Sequence, residues 1–302
     1  MAILETRNLS FQYEAGKIIL DDLNISIEKG SFVALLGANG CGKTTLAQHF
    51  NRLYKPVSGQ VLLNGNDIAG LKEEQIYSSI GLVFQNPDDQ LFSYTVREDV
   101  SYGVKNLGIS GNEAEKRVED SLKLLDIEDL RDREIHKLSF GQKKRVAIAG
   151  ILAMKPEILV MDEPTAGLDP MTISSLMKTL KQIQLEEGLT IVIATHEVDI
   201  VPVNCDKVYV MSRGRIILEG SPEQVFKNKE LLRESNLRLP RIGHLMEVLH
   251  DKDKLDVDAA AMTISKARKS INNLFKLKGS WSEGNAGRNR DRKPTGYRKK
   301  KL

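Results

Sequence analysis

Eight consecutive residues constrain this chain more than any others. Gly37-Ala38-Asn39-Gly40-Cys41-Gly42-Lys43-Thr44 fits the pattern G-x-x-x-x-G-K-[ST]. A short apolar run, 32–36, precedes it, and a helix is expected from Lys43 to about Leu53. A strand that ends in a Gly-rich turn and restarts as a helix can curl its backbone N–H groups around phosphate oxygens. The glycines allow that curl without Cβ clashes, and the helix N-terminus adds its positive dipole end. Lys43 is placed to reach the β- and γ-phosphates of ATP, and Thr44 to bind Mg²⁺. A strand of this apolar kind belongs in a parallel sheet covered on both faces.

Further apolar runs at 80–84, 158–161, 191–194 and 208–211 supply candidate partners for that strand. A helix is expected near 171–186, between the second and third of these runs. Strands alternating with helices predict a parallel α/β sheet. The first thirty residues read differently, as strand segments 3–6, 8–13, 18–20 and 23–27, the last with period-two alternation. Another strand pair is expected at 60–63 and across Asn64-Gly65. From about 87 to 155 the strand pattern disappears and charged helices are expected, as in 112–125. That interruption predicts a helical subdomain inserted into the sheet.

Composition narrows the class. The 302 residues are 41% hydrophobic and 28% charged, values of an ordinary globular protein. A disordered chain, a collagen-like chain and a disulfide scaffold are excluded. No apolar run approaches the roughly 18 residues that span a bilayer. The first ten residues lack a charged n-region and an apolar h-region, so no secretory signal is expected. Two cysteines, Cys41 and Cys205, suit a reducing cytoplasm. Residues 279–302 hold eight Lys and Arg against Glu283 and Asp291, a net +6, so the rest is net −3. This basic tail is expected to be disordered.

A second constellation adds chemistry. The run 158–161 ends in Asp162-Glu163. Isolated buried carboxylates are costly, so two at a strand end invite a metal or a proton. Asp162 fits a Mg²⁺-holding role, and Glu163 then fits the general base for an attacking water. Cys41 lies near a helix N-terminus that would lower its pKa and permit a redox switch. An ordinary small residue at a variable motif position is the preferred reading.

Leu138-Ser139-Phe140-Gly141-Gln142 opens a helix, and Asp162-Glu163-Pro164-Thr165 follows about twenty residues on. With the phosphate loop, these residues resemble the ATP-binding cassette (ABC) ATPases over roughly 1–240. The resemblance implies a P-loop NTPase α/β core of the RecA type with an N-terminal antiparallel β subdomain and the inserted α-helical subdomain. It makes 138–142 the family signature, with Phe140 where a glycine is usual. Ser139, Gly141 and Gln142 would then serve ATP held by a partner subunit. ATP-binding positions would run from Gly37 to Thr45, with Tyr13 stacking on adenine. Gln85 matches the glutamine that senses Mg²⁺ and the attacking water. Asp169 closes the loop 166–169 that links the two subunits' sites, and His196 matches the switch histidine.

The runs 83–92 (VFQNPDDQLF) and 95–100 (TVREDV) are similar to ATPases of energy-coupling factor (ECF-type) importers, which carry cobalt, nickel or vitamins. That group implies a second ATPase, a homodimer mate or a paralogue, a transmembrane coupling protein and a substrate-capturing membrane protein. The chain would sit on the cytoplasmic face of the membrane. A groove near Gln85, between the core and the helical subdomain, would grip the coupling protein. From Leu239-Pro240 the sequence resembles the group's short C-terminal segment, implicated in holding the ATPases together. Val257, Ala261, Ile264, Ile271 and Phe275 lie near helical spacing, so 241–278 is expected to be a small helical extension with one apolar face. The transported substrate is not legible, because selectivity lives in another chain. The alternatives are a soluble ABC ATPase using its basic tail on nucleic acid, and a regulatory nucleotide-binding module. One phosphate loop, one signature and no Cys cluster speak against the first, and intact Lys43, Asp162, Glu163 and His196 against the second.

Overall fold

The computed structural model describes residues 2–14 and 16–277. The chain forms two compact units, Met1–Pro240 and one that begins at Arg241. The basic segment 279–302 lies outside the described residues.

In chain order the first unit contains β1 (Ala2–Gln12), β2 (Ile18–Glu28), β3 (Phe32–Gly37), α1 (Lys43–Phe50), β4 (Ser58–Leu63), β5 (Asn66–Asp67), α2 (Glu73–Ser79) and β6 (Ile80–Val83). It continues with α3 (Val96–Asn106), α4 (Gly111–Leu124), α5 (Phe140–Ala153), β7 (Ile158–Asp162), α6 (Pro170–Glu187) and β8 (Thr190–Thr195). It closes with α7 (Val201–Asn204), β9 (Lys207–Ser212), β10 (Arg215–Gly220), α8 (Pro222–Lys227) and α9 (Lys229–Glu234).

Two sheets result. The first is antiparallel, in the order β2-β1-β4-β5. The second has the order β10-β9-β3-β8-β7-β6, parallel throughout except at β10. Every residue of β3, β6, β7 and β8 is buried. Strands covered on both faces lose the alternation of half-exposed ones, hence their unbroken apolar sequences.

The four short segments expected before residue 30 are two long strands. Each passes through a bulge at a polar residue that the sequence pattern reads as a break. Asn8 (φ 48°) and Asp22 (φ 51°) both take the left-handed conformation. Their side chains join, Asn8 Nδ2 donating to Asp22 Oδ1 at 2.8 Å. Asn and Asp tolerate that conformation better than other side chains, so the strands bend without ending.

The helical insertion follows from patterning and caps. In α4 the buried residues Ala114, Val118, Ser121 and Leu122 fall on one face. Thr95 with Glu98 and Ser139 with Gln142 form capping boxes that start α3 and α5.

The register of the parallel sheet places the site. Leu36 of β3 pairs with Thr195 of β8, and Asp162 of β7 pairs with Ala194. The loops after β3, β7 and β8 therefore emerge at one level of one edge. Ligands of open α/β sheets bind outside these carboxyl ends.

The second unit packs α10 (Arg241–Asp251) and α11 (Ile264–Leu277) around their own small core. Its buried residues are Met246, Val257, Ala261, Ala267 and Leu274. The single apolar face expected there is corrected in part. Val257 and Ala261 precede α11 and are buried, whereas Ile264 is 73% exposed and Phe275 53% exposed. The helix turns Ala267, Ile271 and Leu274 toward that core.

Candidate functional site

The phosphate loop runs from the end of β3 to α1, and two of its glycines are required by close approach. A Cβ on Gly37 would lie 2.5 Å from Cys41 Sγ and 2.6 Å from the Met211 carbonyl oxygen. Gly42 takes φ 108°, and a Cβ there would meet Leu20 Cδ2 at 2.8 Å. Gly42 is the N-cap of α1, so the open N–H groups of that helix face the loop.

Lys43 is 5% exposed. Its Nζ donates to the carbonyl oxygens of Gly37 at 2.8 Å and Ala38 at 3.2 Å, and lies 3.7 Å from Glu163 Oε1. The ammonium thus sits between the loop and the carboxylate after β7. Thr44 Oγ1 donates to Asp162 Oδ2 at 2.7 Å. The other oxygen, Asp162 Oδ1, is buried and unpartnered. Burial pushes the Asp162 carboxyl above its ordinary pKa, with the Thr44 hydrogen bond opposing. A carboxylate with one unsatisfied oxygen beside a loop hydroxyl is a fitting donor set for a hard divalent cation. Among the described residues no group of three or more His, Cys, Asp or Glu is arranged to hold a metal. A cation here would complete its shell with water and the phosphates of its nucleotide.

Glu163 is the most constrained residue of the set. It is 5% exposed and takes φ 44°, the left-handed region that side chains rarely enter. Its N–H donates to the Ala194 carbonyl at 2.8 Å. Oε1 accepts from His196 Nδ1 at 2.8 Å and Oε2 from Thr195 Oγ1 at 3.1 Å. A carboxylate can only accept, which fixes the proton of this contact on Nδ1. Thr195 Oγ1 also accepts the Glu197 N–H at 3.0 Å, so its one proton points at Glu163.

Tyr13 is half exposed, and its hydroxyl lies 2.9 Å from Thr45 Oγ1. The ring thereby stands beside the loop, edge-on to Phe11 and Tyr54. Gln85 is exposed two residues beyond β6. Ser139 caps α5 while its N–H bonds Gln142 Oε1 at 2.9 Å, leaving both residues at the start of that helix with Gly141. Among the described residues no hydrogen bond joins Ser139 or Gly141 to the chain's own phosphate loop. Asp169 caps α6, accepting the N–H groups of Met171 and Thr172 at 3.0 Å. The Thr172 hydroxyl bond is the main cause of its lowered pKa.

Cys41 departs from the redox possibility. It is buried, and burial pushes its thiol above the ordinary value despite the opposing Lys43 ammonium. The Gly37 turn packs against its sulfur, so its role is to fill space.

Three residues escaped sequence reading. Thr195 orients Glu163, as described. Gln90 ties the segment after β6 to α5, its Oε1 accepting the Phe84 N–H at 3.0 Å and its Nε2 donating to the Ala147 carbonyl at 3.2 Å. Lys144, 1% exposed, donates to the carbonyls of Gln85 at 2.9 Å and Glu163 at 2.7 Å. Only the last left a signal, a lysine at an otherwise apolar helical position.

Comparison with known proteins agrees with this fold. The ABC transporter family matches residues 20–166. The energy-coupling factor transporter ATP-binding protein EcfA3 of Clostridium perfringens is 51% identical over 272 residues, covering 89% of this chain and 95% of the relative. The structure of CbiO1 from Clostridium perfringens, described as part of the ABC transporter complex CbiONQ, superposes with a TM-score of 0.71 at 52% identity, covering 82% of this chain and 99% of that one. A dimeric post-hydrolysis state of the ATP-binding cassette MJ0796 with ADP and phosphate gives a TM-score of 0.67 at 29% identity, covering 72% and 98%. Identity of this order over nearly the whole length of a relative leaves one assignment: the chain belongs to the ABC transporter family, as one of its ATP-binding, transport-coupled ATPases of the energy-coupling factor group.

Proposed function

We propose that this ATPase is one of a pair on the cytoplasmic face of a membrane, energising an importer of a metal ion such as cobalt or nickel, or of a vitamin. Its partners are a second ATPase, a transmembrane coupling protein and a substrate-capturing membrane protein. The names of its relatives and the complex to which CbiO1 belongs support this reading. So do the runs 83–92 and 95–100. An alternative role on nucleic acid has no such support. Among the described residues no helix is long and apolar enough to cross a membrane.

A groove of about 430 Å³ lies beside Gln90, between α2 and the inserted helices. Tyr77, Phe92, Tyr102 and Met154 line it, with Glu73, Glu74 and Asp99 among them. Phe92 is 65% exposed. Exposed aromatics in a groove suit a partner helix, here one from the coupling protein.

Residues Gly37 to Thr45 cradle the ATP phosphates, and Tyr13 supports the adenine. Thr44, Asp162 and Gln85 would hold Mg²⁺, whose charge would offset that of the phosphates. Glu163 takes the proton of the attacking water, and His196 faces the γ-phosphate. Ser139, Gly141 and Gln142 serve the partner's nucleotide, and Asp169 anchors the loop between the two sites. The observation that carries this reading is Glu163: a buried carboxylate, held by Thr195 and His196, directly after a carboxylate with a vacant oxygen.

Glu163→Gln keeps size and reach but removes basicity, which in general-base catalysis is worth about 10²–10⁴-fold. Turnover should collapse while ATP still binds. Lys43→Ala should weaken nucleotide binding itself. Near-wild-type turnover of Glu163→Gln would refute the assignment of the base.

A further inference from the structure

Where β6 and β7 stop pairing, their chains need a new connection. The last pair of that ladder is Val83 with Met161. Gln85 and Glu163 each lie two residues beyond it, on diverging backbones. Their carbonyl oxygens both accept from one group, the Lys144 ammonium, at 2.9 and 2.7 Å. A single buried cation thus continues the ladder by one rung.

The rung fixes the two residues that matter most there. Glu163 has the left-handed φ of 44°, so its peptide is turned out of the strand direction. Its N–H is held by Ala194 and its carbonyl by Lys144, which pins the peptide groups on both sides of its Cα. The same ammonium fixes the start of the Gln85 loop. Lys144 itself stands on α5, the helix that Ser139 caps.

The unusual Phe140 completes the arrangement. Its ring centroid lies 5.7 Å from Lys144 Nζ. Its edge rests against Gly167, where a Cβ would approach Phe140 Cε1 to 2.8 Å. The ring covers the ammonium and touches the loop that leads to Asp169. A lysine is rarely this buried, because its charge must find partners. Burial lowers its pKa to about 8, with Glu163 and Asp162 opposing. An apolar side chain of the same length would fill this space without that penalty, so the two carbonyls account for the charge.

We propose that Lys144 is a positioning residue for ATP hydrolysis, its ammonium locking the Gln85 and Glu163 backbones to each other and to the signature helix. It touches no substrate and acts through the two peptides it holds. The proposal rests on the reading of Glu163 as the base.

The test uses the full-length chain in its assembled complex. Lys144→Met keeps length and volume but removes both hydrogen bonds. Its kcat should fall roughly ten- to hundredfold, since small misplacements at a reacting centre have effects of that size. KM for ATP and nucleotide affinity should stay within about threefold, because the phosphate loop is untouched. Lys144→Gln retains N–H donors on a shorter stem, so its kcat should lie between Lys144→Met and wild type. A purely structural lysine would shift the melting temperature without this split between kcat and KM. A folded Lys144→Met with wild-type kcat overturns the proposal. Should Lys144→Met fail to fold, a folded Lys144→Leu variant, which also lacks donors, with wild-type kcat and KM overturns it equally. In a Glu163→Gln background, Lys144→Met should cost less than in the wild-type chain, because only the Gln85 contact then bears on the rate, and an equal or larger loss would also overturn it. Failure of the base assignment shows separately, as turnover in Glu163→Gln alone.

Discussion

Thr195 Oγ1 donates to Glu163 Oε2 at 3.1 Å while it accepts the Glu197 N–H at 3.0 Å. The second bond commits the hydroxyl proton to the carboxylate. Thr195→Val preserves shape and removes both interactions. A hydrogen bond to a charged group is worth about 1.5 kcal/mol, so kcat should fall roughly tenfold. The orphaned Glu197 N–H should lower stability by about 1 kcal/mol. Thr195→Ser should restore both values. Steady-state turnover and denaturant unfolding check the pair together.

Phe140 and Gly167 should be energetically coupled. Gly167 takes φ 76°, and a Cβ there would press on the Phe140 ring. Gly167→Ala should destabilise by about 1–2 kcal/mol from the backbone alone. Displacing the ring adds to this. In a Phe140→Gly background the steric part disappears, so a double-mutant cycle should show a coupling of roughly 0.5–1 kcal/mol. Unfolding free energies of the four proteins give the answer, and strict additivity would show that the ring does not rest there.

Both cysteines should be silent toward thiol reagents. Cys41 and Cys205 are buried, and burial pushes both thiols above their ordinary values. The thiolate is the reactive form, so at about pH 8 the folded protein should resist modification that denaturant then permits. A colorimetric thiol assay distinguishes the cases. Fast labelling of Cys41 in the native protein would reopen the redox possibility.

Much of the site was legible because its parts are contiguous in sequence. The phosphate loop announces itself in eight residues, and Asp162-Glu163 at the end of an apolar run in six. The fully buried strands were legible for the same reason. What escaped depends on distances along the chain that no local pattern encodes. Lys144 meets Gln85 across 59 residues, and Thr195 meets Glu163 across 32. Each contact exists only after β6, β7 and β8 are aligned. The breaks expected in β1 and β2 arose because Asn8 and Asp22 carry the local chemistry of turns. Their mutual hydrogen bond, which keeps the strands continuous, is itself tertiary. Likewise Ile264 and Phe275 fit a helical period but are exposed, while α11 buries Ala267 and Leu274 in one cluster with Met246, a packing partner that the local period does not encode.

The last prediction concerns where each ATP is completed. Ser139 and Gly141 open α5 and make no hydrogen bond to their own phosphate loop among the described residues. If they serve the partner's nucleotide, a site consists of one chain's loop and the other chain's signature. Lys43→Ala disables the loop, and Gly141→Asp brings a negative charge to the place where phosphate must come. Either variant alone forms pairs with no complete site. In a mixed pair, both lesions fall on one site and the other is intact. With random pairing, an equimolar mixture should therefore recover roughly a quarter of the wild-type site density, from the half of pairs that are mixed. The measurement is ATP turnover of each variant alone and of the mixture, at concentrations where wild-type rate rises faster than linearly with protein. Recovery in the mixture, absent from both variants alone, is the expected outcome. A mixture no more active than its components would mean that this chain does not pair with its own copy, or that the signature acts within its own chain. Repeating the mixture with a signature-disabled paralogue separates those two cases, since only the first restores turnover there.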